Sequence, residues 1–170
     1  MKSLIIGSVF SMLLLAGPLV KRDAIKSLEA NFRDDLRSRE MEIFAYPTGF
    51  YVDGVGVVFT SELSLTYAPM PNPFEQVIPA EKRARIHEKE VTQLPLLRED
   101  MRQLLLRSAT ALDSLPLTEQ VIVGVKISHQ LWEDKTGIPQ QIVMQATKAK
   151  LLDARAGKVT VDDAIRVQEQ

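Results

Sequence analysis

The sequence predicts a single α+β domain: an antiparallel sheet of about four strands in two hairpin-like pairs, with helices on one face. Three observations predict it. Residues 21–42 and 96–112 carry apolar side chains at helical spacing. Residues 55–67 and 120–147 alternate apolar and polar positions with a period of two, interrupted by turn residues. A proline-rich stretch at 68–80 then separates the first strand group from the next helix.

An apolar targeting helix is expected ahead of this domain. Lys2 and the α-amino group are followed by 18 uncharged residues, Ser3 to Val20, with Leu4, Ile5, Ile6, Val9, Phe10 and Met12 to Leu15 at their centre. A charged start and an apolar run form the pattern that export machinery recognises. No Ala-x-Ala triplet closes the run, and Lys21-Arg22 follows directly, where positive charge resists translocation. Residues 1–20 are therefore expected to be either a signal peptide or an uncleaved inner-membrane anchor, and 21–170 the domain. The domain is expected in the periplasm or outside the cell, touching the membrane only through residues 1–20.

Residues 21–42 place Ile25, Leu28, Phe32 and Leu36 on one helical face. Six basic and six acidic residues share this stretch, and Glu29–Arg33 and Asp35–Arg39 have the favourable acid-first i,i+4 order. That face is expected to be solvated; the balanced charge argues against a membrane-surface helix.

Pro47-Thr48-Gly49 predicts a turn, and Asp53-Gly54 a hairpin or bulge. Val55, Val57, Phe59, Leu63, Leu65 and Tyr67 then form one row of a strand that Ser61 interrupts. Residues 80–114 are helical in composition, with Pro95 expected to divide them. The first half is expected to be frayed or projecting. The second buries Leu97, Met101, Leu104, Leu105, Ser108, Ala111 and Leu112. Val121, Val123, Val125 and Ile127 predict a third strand, and Ile142, Met144 and Ala146 mark its return. A short helix at 148–156 stops at Gly157. Thr160 and Asp163 cap a last helix expected to end near Gln168.

Composition excludes several functions. The formal net charge of −1 provides no basic footprint for nucleic acid, and 6% aromatic residues provide little surface for stacking bases. With no cysteine, disulfides, thiolate catalysis and cysteine metal sites are all absent. An exported chain of this size without bridges suits a bacterial origin.

The motifs with chemical meaning read as ordinary structure. Gly54-Val55-Gly56 precedes a strand rather than a phosphate-binding helix, so it suits a bulge. Asp134-Lys135-Thr136-Gly137 matches the phosphorylation motif of P-type cation-transporting ATPases over four residues. Ile138-Pro139 breaks that motif, and the chain is too short for that family's other parts, which leaves a hairpin connection. His87-Glu88-Lys89-Glu90-Val91 begins like a zinc-protease helix but has Val91 where the second histidine belongs. Glu88 and Glu90 are expected on a solvated face, and His129 is far away in sequence. No metal and no cofactor are expected. Ser61, Glu62 and His129 would form a hydrolase triad only if the fold assembled them, and no nucleophile elbow is present.

Trp132, Glu133, Asp134 and Lys135 are the candidate binding residues. The sole tryptophan lies in a loop between two strands, beside two acids and a lysine, where contact surfaces concentrate. Alternatively, Trp132 covers the end of the core with its indole N–H satisfied. The expected function is an exported or membrane-anchored bacterial envelope protein that acts by binding or assembly, with a protein partner in the envelope. The alternative is a small periplasmic hydrolase whose catalytic residues the sequence does not single out.

Overall fold

The computed structural model describes residues 20–67 and 78–170. The expected targeting segment, apart from Val20, lies outside the described residues. No helix among the described residues is long and apolar enough to cross a membrane. The elements are α1 (Arg22–Ser38), β1 (Glu42–Val52), β2 (Gly56–Ser64), α2 (Ala80–Ala111), β3 (Gln120–Ile127), β4 (Gln141–Thr147), α3 (Lys148–Arg155), α4 (Val161–Ala164) and β5 (Arg166–Glu169).

The α+β class holds, but the sheet has five strands and is mixed. Its order is β1-β2-β3-β4-β5, and β2 pairs with β3 in parallel while every other pair is antiparallel. The parallel pair follows from the connection. Chain leaving β2 returns through helix α2 before entering β3, and a crossover of that length permits parallel pairing where a tight turn does not. The fifth strand replaces most of the expected last helix. Thr160 does cap α4, accepting from the Asp163 N–H at 3.1 Å, yet α4 is only four residues long. Ile165 turns extended, and Arg166–Glu169 pairs with β4, covering an edge that would otherwise be open.

Pro47, Thr48 and Gly49 do not form a turn; they lie inside β1. An edge strand tolerates proline, and the register shifts at Ile43/Ala45 and Ala45/Thr48 absorb the irregularity. Gly49 is needed there because a Cβ would stand 2.6 Å from the Phe59 ring and 2.7 Å from Ile25. The Asp53-Gly54 turn joins β1 to β2 as expected. Gly56, at φ +128°, brings β2 so close to β3 that a Cβ would meet the Gln120 carbonyl at 1.9 Å.

The core lies on one sheet face. Val57, Val121 and Ala146 align across the strands, as do Phe59, Val123 and Met144, and all are buried. Val55 and Tyr67, expected in the same row, lie outside β2 and are exposed, whereas Leu65, just past its end, is buried. Ser61 keeps its place in the row by donating to the Ala45 carbonyl at 2.8 Å.

Helix α1 buries Ile25, Leu28, Phe32 and Leu36 as predicted. Within the helix Arg22 pairs with Glu29 and Arg33 with Asp34, while Glu29, Asp35 and Arg39 of the expected i,i+4 pairs reach other elements. Asp35 pairs with Arg107, Arg39 holds Asp100 through two bonds of 3.2 Å, and Glu29 accepts the Gly49 N–H at 2.7 Å. These contacts fix α1 against α2 and β1, so tertiary partners displaced the expected i,i+4 pairs. Helix α2 is continuous through Pro95. Its first half is helical throughout; residues 80–89 include no buried side chain, and burial begins at Glu90 and Leu94. Ala109 is buried where Ala111 was expected, and Ala111 is exposed.

Candidate functional site

The chemistry-bearing side chains gather where the parallel strands β2 and β3 end. The loop 128–140 leaves β3 there and lies against the N-terminal half of α2. The loop is held by its own bonds. Ser128 N–H donates to the Leu63 carbonyl at 2.8 Å, and Ile138, buried, anchors the return. Asp134 accepts both the N–H and the hydroxyl of Thr136, at 2.9 and 2.7 Å, which closes a turn and holds its carboxyl below the usual range. On α2, His87 Nδ1 meets the Asp134 carbonyl at 3.0 Å. A carbonyl only accepts, so that nitrogen carries the proton.

The four candidate residues have different surroundings. Trp132 is half-buried and lines a groove of about 450 Å³ with Ala80, Arg83, Ala84, Glu133 and Asp134. Its indole N–H is buried without a partner among the described residues. Asp134 and Lys135 are exposed, and Leu131 beside them is fully exposed. Glu133 points inward; its side chain is 2% exposed, and Oε2 accepts the Gln130 N–H at 2.7 Å.

Glu133 joins two residues that the sequence left apart. His129 Nδ1 lies 3.7 Å from an oxygen of Glu133 and 3.7 Å from an oxygen of Glu90 on α2. One ligand atom from each of the three lies within 4.8 Å of the others. The Glu90 side chain is 0% exposed and that of His129 2%. Glu90 is thus not on a solvated face, and His129 faces a fixed set of carboxylates. Burial pushes the Glu90 carboxyl up to about 7, with the Glu133 and Asp134 charges adding to it. Burial also raises Glu133, against the Gln130 N–H and Lys135, and lowers His129, with Lys135 acting the same way.

Beside this trio, a cleft of about 220 Å³ is lined by Glu42, Phe44, Glu62, Ser64, Ser128, His129, Gln130 and Glu133. Glu62 accepts from Ser128 Oγ at 2.6 Å and Lys126 Nζ at 3.0 Å, which keeps it ionised. The Ser61–Glu62–His129 triad is not assembled: Ser61 is bonded to Ala45 and His129 faces Glu90 and Glu133.

Sequence reasoning missed Glu90. The signal was present, since Glu90, Leu94, Leu97 and Met101 have helical spacings of 4, 3 and 4 that place Glu90 on the buried stripe. No protein-family model, curated protein or solved structure matches the chain.

Proposed function

We propose that the chain is an exported or membrane-anchored protein of the bacterial cell envelope that works by binding, with loop 128–140 as its contact surface for a protein partner. The observation that carries this reading is Leu131, fully exposed next to Trp132, at the tip of a loop otherwise tied to β2, β3 and α2. An apolar tip on a pre-ordered loop loses little conformational entropy on docking. Tryptophan beside it offers the large contact area typical of binding hot spots. The envelope address is supported by the charge-then-apolar pattern of residues 1–20.

The test is capture of partners from a solubilised envelope fraction by the full chain, with Trp132→Ala and Leu131→Ser alongside. Each variant is expected to weaken capture about tenfold, the loss typical of a hot-spot contact, with the far-UV circular dichroism unchanged. Undiminished capture by both variants would overturn the reading. A hydrolase remains the rival, supported by the cleft beside His129; turnover of a simple ester or phosphate that His129→Ala abolishes would favour it.

A further inference from the structure

We infer that Glu90, His129 and Glu133 form a binding site for a divalent first-row transition-metal ion, which clamps loop 128–140 to helix α2.

The unmet bonding of the trio is the first argument. Both oxygens of Glu90, both ring nitrogens of His129 and Oε1 of Glu133 are buried without a hydrogen-bond partner among the described residues. Buried polar atoms are paired in nearly all native structures, and orphans of this kind call for an explanation. A cluster held together by shared protons would show separations of about 2.6–3.0 Å. Here both His129–carboxylate separations are 3.7 Å, too long for a hydrogen bond.

Those separations suit ligands around a cation. Ligands about 2.1 Å from a tetrahedral ion stand about 3.4 Å from each other. One ligand atom from each of the three already lies within 4.8 Å of the others. Charge agrees as well. Two carboxylates and a neutral imidazole balance a divalent ion, which offsets the cost of burying two acids side by side.

The ligand types select the class of ion. One imidazole with two carboxylates suits Zn²⁺, Mn²⁺, Fe²⁺ or Co²⁺. Calcium and magnesium prefer all-oxygen shells, and soft ions such as Cu⁺ prefer sulfur, which this chain offers only as methionine. Three protein ligands also leave a coordination position open. Glu133 and His129 also border the 220 Å³ cleft.

Chain connectivity gives the ion a structural effect. Glu90 belongs to α2, whereas His129 and Glu133 belong to the loop that presents Leu131 and Trp132. Binding the ion therefore fixes the proposed contact surface, although the metal site itself does not depend on that surface having a partner.

The experiment uses the full chain, stripped with a chelator and titrated with ZnSO₄ and MnCl₂ by calorimetry, with thermal melting in parallel. One ion per chain and a raised melting temperature are expected. Glu90→Gln, Glu133→Gln and His129→Ala should each weaken binding at least tenfold, a loss of a ligand being no smaller than that of an outer partner. His87→Ala, which touches the loop but not the trio, should bind as the wild type does. With Co²⁺, visible absorption should appear in the wild type and be lost in Glu90→Gln. Absence of binding, equal binding by Glu90→Gln, or displacement of Zn²⁺ by equimolar Mg²⁺ would overturn the assignment.

Discussion

Oε1 of Glu90 lies 3.7 Å from Nδ1 of His129, with the two side chains 0% and 2% exposed. A carboxyl group and an imidazole so close, and so well shielded, have a pH dependence that can be read out. The Glu90 carboxyl ordinarily titrates near 4.5 and is pushed up to about 7. Between those values the folded chain holds a proton that the unfolded chain has released, so the contribution of Glu90 to stability is fully present below 4.5 and is lost as pH rises through 7. In chelator-treated protein, Glu90→Gln removes this titration. The variant should match the wild type near pH 4.5 and exceed it at pH 8 by on the order of 3 kcal/mol in urea unfolding. Glu133, Asp134, His129 and Lys135 remain in both proteins, so the difference reports Glu90 together with its coupling to them. A constant gap between the two proteins across the range would refute it.

Lys148 supplies a second prediction. Its ammonium group is buried and donates to the carbonyls of Leu112, Asp113 and Leu115 at 2.8, 2.8 and 2.9 Å. It thereby ties the start of α3 to the chain leaving α2. Methionine has similar bulk but no donor, and it leaves those carbonyls short of partners. Lys148→Met is expected to cost about 3 kcal/mol in chemical denaturation. A cost below about 1 kcal/mol would show that desolvation of the ammonium cancels its bonds.

Pro95 provides a third. It is exposed within α2 and cannot donate to the carbonyl one turn earlier. Alanine restores that bond and loses no buried surface. Pro95→Ala should stabilise the protein by about 1 kcal/mol or more, seen as a raised urea midpoint at unchanged slope. A lowered midpoint would mean that the core is packed around a distortion at this residue.

Local pattern carried most of the elements. The α1 stripe of Ile25, Leu28, Phe32 and Leu36 and the alternation of Val121 to Ile127 are short-range signals, and both were buried as expected. Pro47 and Arg166–Glu169 were misread because edge position and partner supply, not local preference, put them in strands. Within the site, the loop bearing Trp132 to Lys135 was legible from its turn residues. The trio was not, since Glu90 and His129 are brought together only by the packing of α2 over the end of β3.

The sequence by itself determined the α+β class, the α1 stripe, the alternating strands and the location of the loop, because periodicity and turn chemistry act over a few residues. Only the tertiary structure decided that β2 and β3 run parallel, that the charges of α1 reach across to α2 and β1, and that Glu90 meets His129 and Glu133. Each of those depends on which surfaces pack together. Burial then alters the chemistry of what is packed, turning a glutamate that would be solvated on an isolated helix into a buried carboxyl beside a histidine.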